Sequence, residues 1–360
     1  MKKKWLSTIM LSAAALLVVA GCGSKAENGN NGGASTPPAS ESASPSASAP
    51  ASNSESKSYK IAISQIVEHP SLDATREGFL AALKDAGIVD GENLKVDVNF
   101  AQGDPTNNLS IAQKIASDKN DLVLGIATPS ALAIAQNVKD TPVLFAAVTD
   151  PLAAKIVTNL DQPGGNISGA SDTNPEAIKE LMNFIAANFP DVKNVGVVIN
   201  EGEENAVVMA KTAEEALATH DIKLVRAAAA NTSEVKQAVD SLVGRADAIY
   251  ITLDNTVVSA VESIIQVAND KKIPFFSSDR DTVEKGAFAT VGFKYFDHGY
   301  QVGQMAVEIL KNGKKPAEMK VTVPDKLDLI LNLKAAEAQG ITVTDAMKDQ
   351  VKDKETNIIQ

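Results

Sequence analysis

From residue 59 onward, short apolar runs alternate with amphipathic stretches, each of a length that suits a strand or a helix. Residues 60–67 predict a strand. Residues 71–86 predict a helix with Leu72, Phe79, Leu83 and Ala86 on one stripe and Gly87 as its stop. A strand with alternating apolar positions follows over 94–100, then a helix over 105–117. The run 122–127 carries no polar side chain, as expected of a parallel strand covered on both faces. A helix over 130–138 and a second buried strand over 143–148 complete the series. Repeated strand–helix alternation predicts a doubly wound parallel sheet.

The pattern then starts again. Strands are predicted over 195–199, 222–227 and 248–253, helices over 204–218, 234–243 and 257–269, and Pro274-Phe275-Phe276 opens a further strand. Two correspondences point to a duplication. Asp121 to Thr128 aligns with Asp247 to Asp254 at an offset of 126, and Thr141-Pro142 aligns with Ile273-Pro274 at an offset of 132. Solenoid repeats have periods of ~20–50 residues, so the chain reads instead as an α/β protein of two doubly wound parallel-sheet lobes.

In open α/β sheets, ligands bind beyond the carboxyl ends of the strands. Two lobes that face one another therefore predict a cleft lined by the polar residues just after each strand. In the first lobe these are Gln65 and His69, Gln102, Thr128 and Pro129, and Thr149 and Asp150. Ser171 and Asp172 lie on the segment expected to open the second lobe, and Asn200, Glu203, Asn205, Asp254, Asn255, Ser277, Ser278 and Asp279 belong to that lobe. Thr128-Pro129 reads as a hydroxyl N-cap with a proline at the first helical position, where free N–H groups suit a carboxylate; it is equally an ordinary cap. Asp254 is the best candidate for a ligand ammonium, against a plain Asp cap. Asp150 before Pro151 is either a cleft carboxylate or a turn. Ser171 and Asp172 are hinge or ligand residues. His69 either caps a ligand ring or is structural. Asn205 either donates to a ligand or sits on an exposed first turn. Phe275-Phe276 reads as core, and Glu201, Glu203 and Glu204 as a solvated acidic face.

The N-terminal segment has a different character. Lys2, Lys3 and Lys4 precede a mostly apolar stretch over 6–20, the order of a secretory signal. That stretch falls short of the ~20 residues of a membrane span. Val19-Ala20-Gly21-Cys22 resembles a bacterial lipobox, and Cys22 is the only cysteine of the chain. Acylation there predicts anchoring at the outer face of the bacterial cytoplasmic membrane. Residues 23–58 contain no Val, Ile, Leu, Met, Phe, Trp or Tyr. They read as a disordered tether with a root-mean-square reach of about 33 Å.

Composition removes several functions. The 360 residues carry 34 basic and 45 acidic side chains, a net of −11. Without the first 21 residues, which hold three lysines and no acid, the basic count is 31 and the net −14. Nucleic-acid binding needs the opposite balance. One cysteine excludes an internal disulfide or an iron–sulfur cluster held by this chain alone. The three histidines, His69, His220 and His298, lack helical ligand spacing, so neither a metal nor another cofactor is expected. The chain has no G-x-S-x-G, H-E-x-x-H, G-x-x-x-x-G-K-[ST] or G-x-G-x-x-G. Ser54-x-x-Lys57 has a serine–lysine spacing but falls in the tether.

Several motifs carry a family resemblance in order: Glu68-His69-Pro70, Leu72-Asp73, Ala101-Gln102-Gly103-Asp104, Ile126-Ala127-Thr128-Pro129, Val148-Thr149-Asp150-Pro151, Pro163-Gly164-Gly165-Asn166, Gly169-Ala170-Ser171-Asp172 and Asp254-Asn255-Thr256. From about residue 59 to 340 the chain resembles the ABC-transporter substrate-binding lipoproteins of the tryptophan and aromatic amino-acid type. The resemblance implies a type I periplasmic-binding-protein fold with a three-segment hinge, crossing near Ile167, Phe293 and Lys320. Lobe I is then 59–167 with 294–320, lobe II is 168–293 with 321–340, and 341–360 is a C-terminal tail. The helix beginning at Tyr295 packs on lobe I. The implied function is a monomeric receptor, not an enzyme, that delivers an amino acid to the permease of an ABC importer. One local departure, Asp279-Arg280 where an acidic and a small residue are expected, leaves the ligand open. A sensor that docks to a signalling partner, or a receptor for a nucleoside or sugar, are the alternatives.

Overall fold

A computed structural model of the chain describes residues 57–324 and 327–360. Cys22, the predicted signal and most of the predicted tether lie outside the described residues. The first sheet contains β1 (Tyr59–Gln65), β2 (Leu94–Phe100), β3 (Leu122–Ile126), β4 (Val143–Val148) and β5 (Ile167–Ser171) in the order β2-β1-β3-β4-β5, all parallel. Between them run α1 (Pro70–Asp85), α2 (Pro105–Ser117) and α3 (Thr128–Asn137). Side-chain alternation assigns the faces. Ile61, Ile63, Leu122 and Leu124 pack towards α1. Ala62, Val123, Val143 and Phe145 pack on the opposite face with Ile115 of α2 and Ile134 of α3.

The second sheet has seven strands in the order β12-β11-β10-β9-β8-β6-β7. They are β6 (Asn194–Ile199), β7 (Lys223–Ala228), β8 (Ala248–Ile251), β9 (Phe275–Ser277), β10 (Ala289–Gly292), β11 (Asp328–Asn332) and β12 (Ile358–Ile359), and only the β10–β11 pair is antiparallel. Its helices are α4 (Pro175–Asn188), α5 (Glu204–Ala218), α6 (Val235–Leu242), α7 (Asn255–Ser259), α8 (Val261–Lys271) and α9 (Arg280–Lys285). Phe275 and Phe276 point to opposite faces of this sheet and are both fully buried. The predicted helix over 257–269 is in fact two, separated at Ala260, which has φ −114° and ψ 20°. The break lets α8 bury Val261, Ile264 and Ala268 while α7 turns its first residues to the cleft.

The duplication is visible in hydrogen bonds as well as topology. Asp121 before β3 accepts from the Lys60 N–H at 2.7 Å, and Asp247 before β8 accepts from Asn194 N at 2.8 Å. The carbonyls of Pro142 and Pro274 receive Val123 N and Ile249 N at 2.9 and 2.8 Å.

After β10 the chain enters α10 (Tyr295–Asn312), which returns to the first lobe and crosses α1 at backbone contact. A Cβ on Gly78 would stand 2.0 Å from the Phe296 carbonyl oxygen, and one on Gly299 1.9 Å from that of Thr75. The crossing therefore admits only glycine at these two points. The chain ends with α11 (Leu333–Ala338), α12 (Asp345–Lys348) and α13 (Lys354–Asn357).

Three expected boundaries shift. β5 pairs with β4, so Ser168–Ser171 belong to the first sheet and the first crossing follows Ser171 rather than Ile167. Val321 N donates to Leu160 O and Thr322 bridges Ala170, so the third crossing comes after Thr322 rather than at Lys320. Residues 341–360 are not a tail, because Ile358 and Ile359 add β12 beside β11 and Met347 and Val351 enter the second core. In each case pairing with a distant strand outweighs local composition.

Candidate functional site

The carboxyl ends of both sheets converge on a cleft, and the crossing segments close one side of it. A polar chamber there is walled by His69, Ser71, Thr128 and Thr149 of the first lobe, Asn205, Asn255 and Asp279 of the second, and Asp172 and Tyr295 on the crossings. Asp172 and Leu253 are shared with an apolar chamber formed by Ile178, Leu181, Met209, Val291 and Phe293, with Ser278 at its wall. Each chamber measures about 20 Å³. Space of that size holds about one or two waters, so a ligand as large as an amino acid must enter with the lobes parted. Towards the mouth lies an outer chamber of about 570 Å³, which includes Gln102, Pro129 and Asn255.

Backbone strain marks the first-lobe rim. Gln102, Ala127 and Ala147, each just after or within the end of a strand, have φ of 58°, 73° and 54°. Left-handed non-glycine residues persist where the surroundings over-determine them. At Ala147 the cause is visible: its N–H donates to Nε2 of buried His298 at 3.0 Å, and burial lowers that imidazole to about 4, so it stays neutral. Ala127, not Thr128, is the cap residue of α3; Thr128 is its first helical residue. The Thr128 hydroxyl accepts from Thr149 N at 3.4 Å, which leaves its own proton for an acceptor in the chamber.

Two carboxylates face the polar chamber. Asp172 accepts from the Tyr295 hydroxyl at 2.9 Å and from the Thr173 hydroxyl at 3.1 Å. Burial raises its pKa to about 6 against the opposing pull of those donors. Asp279 joins the lobes: it accepts from Ser71 Oγ on α1 at 3.1 Å while its own lobe supplies Ser277 Oγ at 2.9 Å and Thr282 N at 2.7 Å. Two buried polar atoms in this chamber lack a protein partner, His69 Nδ1 and Asn205 Oδ1. Burial lowers the His69 pKa, opposed by Asp279, Asn255, Asp73 and Glu203.

Glu203 is not on a solvated face. It is buried, and its carboxylate accepts from Asn205 Nδ2, from the N–H and side chain of Asn255, and from the N–H and hydroxyl of Thr256. It thereby fixes both asparagines that face the chamber. Asp254 does not face it. It is fully buried and accepts from Asn200 N at 2.6 Å and Val257 N at 3.0 Å, so it is the cap of α7. Burial, then the nearby Glu203 charge, holds its pKa well above the ordinary value.

Three more candidates point elsewhere. Gln65 is buried against Arg76, Asp73 and the Val67 carbonyl. Asp150 accepts from Leu152 N and Ala153 N in a turn. Ser171 donates to Thr149 O within the first lobe. The structure thus brings His69, Thr128, Thr149, Asp172, Asn205 and Asn255 to the polar chamber, Ser278 to the apolar one, and Gln102 and Pro129 to the mouth. Ser71 and Tyr295 were missed, whereas Asp279, which follows β9, is where the strand-end rule placed it.

Comparison with known proteins agrees with this fold. The profile of the ABC transporter substrate binding protein family matches residues 60–354. The chain is 37% identical over 348 residues to a "Tyrosine-binding protein" of Clostridioides difficile, covering 94% of each. Among solved structures, a conserved domain protein from Vibrio cholerae is 41% identical with a TM-score of 0.79, and an ABC domain in complex with L-Trp from Streptococcus pneumonia is 31% identical with a TM-score of 0.78. Each alignment covers 84% of this chain and 100% of the other. A ligand-free, open substrate binding protein from Clostridium difficile, 39% identical, gives 0.61 over 84% of this chain and 98% of its own. In this chain the Ser71–Asp279 bond joins the lobes across the cleft. This is a binding receptor and not an enzyme, and the chain belongs to the ABC transporter substrate-binding protein family.

Proposed function

We propose that this receptor binds an aromatic L-amino acid between its lobes and delivers it to the permease of an ABC importer. In this reading it works as a monomer, held at the outer face of the cytoplasmic membrane by acylated Cys22. Support comes from one juxtaposition: Asp172 stands where a polar chamber with unpartnered His69 Nδ1 and Asn205 Oδ1 meets an apolar chamber. A zwitterion with an apolar side chain needs that order of groups. Its ammonium is held by Asp172 and Asn205 Oδ1. Its carboxylate meets the Thr128 hydroxyl and the first turn of α3, where unpaired N–H groups and the helix dipole favour an anion. The ring enters between Ile178, Leu181, Met209 and Phe293. The relatives named for tyrosine and solved with L-Trp support the same ligand class.

The outer chamber supports a second reading. Gln102, Asn108, Gln136, Asn200 and Asn231 line about 570 Å³ there. Neutral carboxamides suit a sugar or nucleoside.

Trp5 is the only tryptophan of the chain, so residues 22–360 contain none. Free L-tryptophan titrated with that protein then supplies the only indole. A saturable blue shift of its emission, competed by tyrosine or phenylalanine, is the expected result. Emission that stays at the aqueous maximum, together with a sugar or nucleoside that raises the melting temperature, would select the second reading; at 100 times its Kd a ligand adds about 2.7 kcal/mol.

A further inference from the structure

We infer that Ser278 is a specificity-determining residue that selects aromatic amino acids carrying a hydrogen-bond donor on the ring, tyrosine or tryptophan, over phenylalanine; this rests on the aromatic amino-acid reading above. Ser278 lines the apolar chamber and not the polar one. Its hydroxyl has one proton and two acceptor positions. Ser278 Oγ lies 3.1 Å from the Ile251 carbonyl oxygen, which can only accept, so the proton goes there. Tyr250 Oη lies 2.6 Å from Ser278 Oγ. With the one Ser278 proton on the Ile251 carbonyl, the fully buried Tyr250 hydroxyl is the donor in that pair. One acceptor position of Ser278 is left over, on a half-buried side chain beside Val291 and Phe293.

Apart from Asp172 at the ammonium end, the other polar side chains of the chamber are committed. Asn174 donates to Pro324 O at 3.1 Å and accepts from Glu176 N at 3.0 Å. Thr173 is turned to the Asp172 carboxylate, at the ammonium end. A phenol O–H or an indole N–H supplies what Ser278 lacks. A phenyl ring covers the acceptor without pairing it, and the site rejects a ligand that leaves a buried polar group unpaired.

The test is calorimetric titration of the mature protein with L-tyrosine, L-tryptophan, L-phenylalanine and O-methyl-L-tyrosine, the last keeping the oxygen without its proton. Tyrosine and tryptophan should bind roughly tenfold more tightly than phenylalanine, as for one net hydrogen bond, and O-methyl-L-tyrosine no better than phenylalanine. In Ser278→Ala the tyrosine-to-phenylalanine ratio should fall to near one. A wild-type protein that takes phenylalanine or O-methyl-L-tyrosine as well as tyrosine overturns the assignment without any variant. So does a Ser278→Ala protein that folds and keeps its ratio, even if all affinities drop together. If none of the four ligands binds, the aromatic reading itself fails and the assignment with it.

Discussion

Asp172→Asn separates a ligand-binding role from a structural one, because the two predict opposite signs. The carboxyl titrates at about 6 in the folded protein against an ordinary 3.8. Between those values the folded state holds a proton that the unfolded state has lost. Stability of the ligand-free protein therefore falls as pH rises across that window and stays lower above it. A shift from 3.8 to about 6 corresponds to ~3 kcal/mol of destabilisation at pH 7.5. Asparagine is neutral, nearly isosteric and still able to accept from Tyr295 or Thr173. The variant should therefore match wild type only below about pH 3.8, be ~1.6 kcal/mol more stable at pH 5 and up to ~3 kcal/mol more stable at pH 7.5. Ligand binding should move the other way. Loss of a charge-assisted hydrogen bond to the ammonium costs about 1.5–3 kcal/mol, roughly a 10–150-fold weaker Kd. Wild-type affinity should also weaken about tenfold per pH unit below 6, and the variant should lose that slope. Urea unfolding at pH 5 and 7.5, with calorimetry on the same samples, reads both signs. A variant that is destabilised at pH 7.5 yet keeps wild-type affinity would refute the assignment of Asp172 to the ligand.

Ser71→Ala removes the hydrogen bond that joins the lobes and should raise ligand koff by about 3–10-fold, as for one net bond; stopped-flow dissociation at an unchanged rate would exclude that bond from closure. Gly299→Ala drives a Cβ into the Thr75 carbonyl, and overpacking of this kind costs ~1–3 kcal/mol or more; an unaltered denaturation midpoint would show that α1 and α10 are not locked at that crossing. Cys22→Ala should release the protein from membranes into the soluble fraction, and retention of the variant in a carbonate-washed pellet would rule out lipidation as the anchor.

Periodicity and capping chemistry alone determine much of this protein. The strand over β2, the helix α2 and the buried strand β4 follow residue by residue from the spacing of apolar side chains, because a sheet covered on both faces demands them. The paired aspartates Asp121 and Asp247, and the paired X-Pro strand entries, mark the duplication because they recur at nearly fixed offsets along the chain, and the fold gives each pair the same hydrogen bonds in both lobes. The strand-end rule reaches His69, Thr128, Thr149, Asn255 and Asp279, because it depends only on where a strand stops. Tertiary structure decides the rest. Asp254 and Asp172 are alike as sequence, each an acid at the end of a strand run. Only the fold shows that the backbone N–H of Asn200, 54 positions away, fills the Asp254 carboxylate, while Asp172 remains turned to the chamber. Glu203 lies among three acids and reads as solvated until α7 folds over it. Asp279 and Tyr295 join the site only when the second lobe faces the first and α10 crosses back. Whether a polar side chain is available to a ligand depends on partners brought in by distant segments, and local sequence periodicity carries no record of them.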